Sequence, residues 1–301
     1  MNKWLKSVVA VSLLLGGLTV GSSAYAAGSA QLQVFIDGKI QDQAILSQGN
    51  TMVQLIAFND PGWVSYSYDT KTKTVVITNK VLNMTVMLQS DATEANVNGT
   101  RVKLDAPVLI VSGRAYVPLR FLSETLGGKV DYITATRQAI VRTPSGEAQF
   151  QKLRKGTLAE ARNIAIHLSE ISSGKELSPS GEGFSQTYTF PKGETLRFTK
   201  EYKGLISYIE INSQGLAEFK WQKDTWSDTG KYREVGVKPK AFGESVVFMY
   251  NFMTPEITKY GLTDKDGNVG EMTSYAVTEQ RQKSGELINP VEGEQRTDYQ
   301  K

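Results

Sequence analysis

The sequence has no cysteine and a single histidine, His167, in 301 residues. The first absence excludes disulfides, thiolate metal sites and thiol catalysis together. The second excludes a three-histidine copper site, a two-histidine zinc site and an HExxH motif within one chain. Neither GxxxxGK[ST] nor GxGxxG occurs, which removes the two familiar phosphate cradles. Charge of one sign is scarce as well. Thirty-four basic residues stand against 31 acidic ones, a formal +3, so nothing argues for nucleic acid as a partner. Stability must come from core burial, and a 40% hydrophobic content over this length suits about two ordinary domains.

Lys3 and Lys6 precede an apolar run from Val8 to Val20, and Ala24-Tyr25-Ala26 offers a small-x-small cleavage site. The pattern predicts a secretory signal peptide over residues 1–26. The run is short and broken by Gly16-Gly17, unlike a spanning helix. Its removal leaves a mature chain of formal charge +1 with no membrane attachment. The expected location is extracellular or cell-wall associated, and an exported chain without cysteine suits a Gram-positive envelope.

The most structured stretch is residues 115–141, AYVPLRFLSETLGGKVDYITATRQAIV. Proline at 118 suits a helix start. Leu119, Leu122 and Leu126 then fall on one face, and Gly127-Gly128 supplies the left-handed stop. Val130 and Tyr132 alternate outward, and Ala139 with Val141 runs back after a turn at 134–136. The predicted unit is strand, helix, hairpin. Shifting by 64 residues sets Val53 on Val117, Leu55 on Leu119, Tyr68 on Tyr132, Thr70 on Thr134 and Thr72 on Thr136. That predicts an internal repeat. Its upstream helix should stop by Asn59, because Pro61 cannot sit inside a helix.

Residues 116–122, YVPLRFL, and 126–132, LGGKVDY, resemble the signature of the copper-amine-oxidase N-terminal-like domain. This is a "stalk" module of secreted proteins from Gram-positive, often spore-forming, bacteria. The resemblance spans about residues 32–143. It implies a spacer or attachment module akin to the oxidase's non-catalytic stalk, without redox chemistry. No cofactor or metal is expected; Tyr250-Asn251-Phe252 has the wrong order for the oxidase's cofactor tyrosine.

Around this anchor, Asp37-Gly38 and Asn98-Gly99 are hairpin signals. Residues 82–88 alternate as a strand, and 108–111 is a continuous apolar run that predicts a buried central strand. Pro144-Ser145-Gly146 marks the expected domain boundary, closing a stalk domain over 27–145. Beyond it, 147–155 and 157–172 read as helical, the second with a Thr157–Glu160 capping box. From Phe184 the period switches to two, predicting strands around Tyr188, Phe198, Ile206–Ile209 and Phe219–Trp221; a less regular stretch follows, strongly apolar over 242–252 and interrupted by Pro255, with a last strand at about 271–277. The predicted fold class is thus α+β. An antiparallel-sheet stalk with two short helices precedes a helix-plus-antiparallel-meander domain over 146–279. Residues 280–301 hold few aliphatics and are expected to be a disordered tail.

Chemistry is sparse. His167 reads as a solvated surface histidine; as a general base it would pair with Glu170 at i+3. Asp264–Asn268 has a calcium-loop flavour but lacks acids at Leu262 and Thr273, so a hairpin turn is favoured. Arg120 is expected to pair with Glu124 at i+4. Trp221 fits the strand pattern, whereas Trp226 and Tyr232 stand among polar residues and are the candidate ligand-binding residues, as a sugar- or peptide-stacking edge. No catalytic residue is assigned. The expected function is a secreted, non-catalytic envelope protein whose stalk presents a C-terminal binding module to a cell-wall polymer or another envelope protein. The alternative is a small secreted hydrolase using carboxylates such as Glu182, Glu194 and Glu210.

Overall fold

The computed structural model describes residues 32–58, 62–172, 174–226 and 233–298. The expected signal peptide, Pro61 and Tyr232 lie outside the described residues. The architecture is α+β, mostly antiparallel sheet with four short α-helices among the described residues.

Strand Arg114–Pro118 runs directly into helix α1, Leu119–Thr125. Pro118 is the residue just before the helix, one place earlier than the first helical position expected for it. Leu119, Leu122 and Leu126 are fully buried. The Gly128 amide reaches back to Ser123 O at 2.7 Å, and Gly127 takes φ +85°, a conformation that costs an L side chain. The Leu126 carbonyl, orphaned at the helix end, accepts from the Trp63 indole at 2.9 Å and the Asn79 amide at 3.0 Å. Strands Lys129–Ile133 and Gln138–Arg142 complete the hairpin.

Upstream, Ile45–Ser47 and Asn50–Gln54 lead into a 3-10 turn, Leu55–Phe58, then strands Val64–Asp69 and Thr74–Asn79. Strands Leu109–Val111 and Arg114–Pro118 begin and end 64 positions after Ile45–Ser47 and Asn50–Gln54. These four make one sheet, with Asn50–Gln54 and Arg114–Pro118 antiparallel at its centre and Val53 opposite Val117. The apolar run 108–111 is therefore an edge, not a central strand. Its burial belongs to Val108, while Ile110 and Val111 face solvent. A five-stranded meander follows in sequence order from Val64–Asp69 to Thr100–Lys103, its last turn made by Asn98-Gly99. In a further sheet, Gln33–Ile36 turns through Asp37-Gly38 to Lys39–Ile40 and pairs on its other side in parallel with Gln138–Arg142. Sequence alternation gave no hint of that parallel pair.

Pro144-Ser145-Gly146, read as a boundary, forms the first turn of helix α2, Pro144–Lys155. Thr143 caps it and is itself held by the Asp37 carboxylate, which accepts from the Thr143 amide at 2.8 Å and hydroxyl at 2.6 Å. Helix α3, Leu158–Ala165, has the expected reciprocal capping box. It ends well before Ser172: the amides of His167 and Leu168 tighten onto Ile164 and Ala165 carbonyls, and Glu170–Ile171 joins a sheet instead. That sheet has nine strands. Its path runs from Glu170–Ile171 through Ala217–Asp224, Leu205–Ile211, Arg197–Tyr202, Ser185–Pro191, Ser245–Asn251 and Ile257–Thr263 to Thr273–Ala276, with Arg233–Gly236 also paired to Ala217–Asp224. Phe190, Phe198, Val246 and Phe248 form its core with Ala165 and Ile288.

The expected disordered tail is a correction. Helix α4, Glu279–Ser284, leads into a strap that crosses the module. Arg162 and Glu294, with side chains 1% and 3% exposed, pair through two bonds of 2.7 and 2.6 Å. Asp298 accepts the Thr195 and Leu196 amides at 2.6 and 2.9 Å, and Arg296 donates to the Leu153 and Gly156 carbonyls. Charge-assisted hydrogen bonds order this segment together with its few aliphatics, Ile288 buried in the core and Leu287 and Val291 packed against it.

Candidate functional site

The N-terminal sheets meet one end of the nine-stranded sheet. Phe35, Ile140 and Leu216 are buried together, with Ile171 against them. Arg142 donates to Asp131 at 2.8 Å and to the Gln214 carbonyl and side chain at 3.0 Å each, and lies 4.0 Å over the Phe150 ring. The 212–216 turn is thereby occupied.

At the other end of the same strands, Tyr202, Asp224 and Asn251 finish their strands and Ser185 begins one. Here Trp226 is 54% exposed. Its indole rests on glycine: a Cβ on Gly181 would come within 3.0 Å of the ring carbon Cδ2, and one on Gly204 within 3.1 Å of the Trp226 Cβ. Gly204, at φ +75°, closes the hairpin after Lys203. The Trp226 amide donates to Asp224 at 3.1 Å, and the single hydroxyl hydrogen of Ser180 is shared between the Asp224 carboxylate, 2.7 Å away, and the Trp226 carbonyl. Arg233 completes the bracket with two bonds to the Asp224 carboxylate. Burial disfavours ionisation of Asp224, but bonds from Arg233, Ser180 and the Trp226 amide outweigh it and hold the carboxyl below the usual range. The backbone that carries this exposed indole is thus held by the buried Asp224 carboxylate and its partners, the half-exposed Arg233 among them.

Farther along the same strand ends, Phe252 is 46% exposed and meets Tyr202 and Tyr250 edge-on, at ring separations of 5.9 and 5.2 Å. Phe184 and Met253 are 63% and 68% exposed at neighbouring loop positions, and the Phe252 amide bonds the Phe184 carbonyl. Of this row the sequence singled out only Trp226. The others sit at the ends of apolar strand patterns, where they read as core. Their adjacency to turns was the available signal.

The other candidates are dispersed. Glu170 does not pair with His167: both its oxygens engage Lys200, at 2.6 and 2.7 Å, because the helix has ended before it. His167 is exposed, its Nδ1 2.6 Å from Asn163 O, on the rim of a groove of about 750 Å³ between α3 and α4. Glu194 is held by Arg197 and Glu210 accepts from the Tyr208 hydroxyl, while exposed Glu182 lies in the loop preceding Phe184. Burial and that bond to Glu210 push the Tyr208 hydroxyl up to about 12. Asp264 takes the Asp266 and Asn268 amides of its own turn. Among the described residues no cluster of three metal-type ligands occurs.

Residues 34–141 match the family model of the copper amine oxidase N-terminal domain. This chain carries a domain of that family. No curated protein and no solved structure matches the chain. Within the copper amine oxidase N-terminal domain, exposed Arg120 stands 4.0 Å from Glu124, as expected, and also lies 4.9 Å over the Tyr132 ring. The match stops at Val141, so the aromatic end belongs to the part of the chain beyond it.

Proposed function

We propose that this is an exported, non-catalytic binding protein of the cell envelope. In it the copper amine oxidase N-terminal domain serves as a stalk and the C-terminal sheet as the binding module, with Trp226 in the contact surface. The observation that carries this reading is the opposition of two ends. The stalk-like domain packs on the 212–216 turn, and the aromatic row lies at the far ends of the strands that leave it. Strand Ala217–Asp224 has eight residues, which sets the two about 23 Å apart at the usual rise per residue. A docked base at one end and a fixed, exposed aromatic surface at the other is the geometry of presentation. The envelope location rests on the leader pattern and the lack of cysteine. The engagement of Glu194 and Glu210 with Arg197 and Tyr208 favours binding over carboxylate hydrolysis.

We also read the stalk domain as an internal duplication. Equal 64-residue offsets of paired strands, and the antiparallel apposition of the equivalent residues Val53 and Val117, support it. The experiment is co-sedimentation of the mature chain with purified envelope material. Retention that drops on Trp226→Ala is expected. A chain that stays in the supernatant, or one that turns over polysaccharide or ester substrates, would overturn the reading.

A further inference from the structure

We infer that the aromatic row from Trp226 to Phe252 binds an extended neutral polysaccharide, an inference that rests on the binding-module reading above. Three observations lead there. The first is rigidity. An indole left mobile in water is a poor platform, because ordering it on binding costs side-chain entropy. Trp226 is already ordered, with Gly181 and Gly204 beneath it and its backbone tied to the Asp224–Arg233–Ser180 bracket. Stacking on the open face needs little further ordering, and the flat apolar faces of pyranose rings fit such a surface.

The second observation is extent. From Ala217–Asp224 to Ser245–Asn251 the row crosses four strand intervals, about 19 Å at normal strand spacing. Tyr202 lies between the Gly204 seat of Trp226 and Phe252, whose ring it meets edge-on. That length suits several rings of a polymer rather than a small ligand.

The third is what the surface lacks in charge and in backbone. Among the described residues near these strand ends, Lys203, Lys223 and Lys259 are offset by Glu182, Glu201 and Glu256, and Arg233 is paired with Asp224. An anionic wall polymer or an anionic lipid surface would require a basic excess. A strand-forming peptide would require an open row of backbone groups, whereas this is the end of the sheet, where chains turn. Neutral, ring-built and extended is the description that remains.

The test uses the mature full-length chain. Affinity electrophoresis and pull-down are run on chitin, cellulose, dextran and mannan, with polyglycerol phosphate and phosphatidylglycerol vesicles as the anionic comparison. Retention by at least one neutral polymer is expected. Trp226→Ala and Phe252→Ala should each weaken it, the first by roughly tenfold for one lost stacking face, while Trp226→Phe retains most of it. Of the mature tryptophans Trp63 and Trp221 are buried, so acrylamide quenching of the unaltered protein reports Trp226 and should fall when the polymer binds. No retention by any neutral polymer, retention indifferent to both alanine variants, or unchanged quenching on binding would overturn the inference. Envelope retention that needs Trp226 but is competed only by vesicles or by the polyanion would overturn the ligand class and leave the binding-module reading standing.

Discussion

Glu294→Ala is the most discriminating change in the molecule, because composition and structure predict opposite results for it. In the native chain the Glu294 carboxylate holds the Arg162 guanidinium through two bonds and accepts the Gly193 amide at 2.8 Å. Arg162 also donates to the Glu194 and Pro191 carbonyls and lies over Phe190 and Phe248. Deleting one member of a buried pair costs about 3–5 kcal/mol, since the other charge stays out of water without a partner. The stranded Gly193 amide adds about 1 kcal/mol or more. The two carbonyls and two rings that Arg162 keeps, together with water entering the gap, return part of this. A net loss of about 3–4 kcal/mol is expected, a large share of the 5–15 kcal/mol typical of a domain. Urea melts of the mature chain, by fluorescence and far-UV circular dichroism, measure it as a lower midpoint. The double variant Arg162→Met, Glu294→Leu should recover most of the loss, because an apolar pair leaves no stranded charge. Were residues 286–298 a solvated tail, Glu294→Ala would act within about 0.5 kcal/mol. That result, or a truncation after Gly285 with an unchanged melt, would refute the strap.

Leu122→Ala should destabilise the chain by about 2–5 kcal/mol through lost burial and a cavity at the centre of the α1 contact. Gly127→Ala should destabilise it by about 1 kcal/mol, positive φ outweighing the entropy gain; a stabilising result in the same urea melts would deny the left-handed helix stop. Asp224→Asn should raise quenching of Trp226 by acrylamide and remove an acid-sensitive contribution to stability. The folded-state pKa of Asp224 is lowered, so this contribution is present above the unfolded aspartate value, about 3.9, and is lost as pH falls through the lowered one. Comparing melts of Asp224→Asn and the unaltered chain from pH 5 downward checks it: the gap between them should narrow. Overnight chelation should leave the melting temperature unchanged, as one histidine and no cysteine imply; a drop of several degrees would count against a metal-independent fold.

Local chemistry made much of this readable. The leucines of α1, the Gly127 stop, the Thr157–Glu160 box and the Asn98-Gly99 turn each express a short-range rule, and each is found where its residues call for it. Long-range choices were hidden. Nothing in the 108–111 run says that Asn50–Gln54 would take the central position. Nothing in residues 157–172 marks Ile171 as a sheet residue, because its apolar spacing serves a helix face equally well. The strap was missed because apolar content is a poor measure of order where arginine and carboxylate pairs are buried. At the aromatic end, Trp226 was legible from its polar neighbours, whereas its glycine seat depends on two loops brought together only by the fold.

The parallel pairing of Gln33–Ile36 with Gln138–Arg142 has a mechanical meaning. Gln33 lies beside Gln138 and Ile36 beside Val141, so the two strands run the same way and leave the pair at opposite ends. A pull on the chain before Gln33 and after Arg142 drives the strands past each other along their length. Every cross-strand hydrogen bond is then loaded at once, in shear, instead of being unzipped one at a time. The N-terminal part of the fold thus clasps its first strand to Gln138–Arg142, the strand that leads out of it, in an arrangement that resists extension between residues 33 and 142.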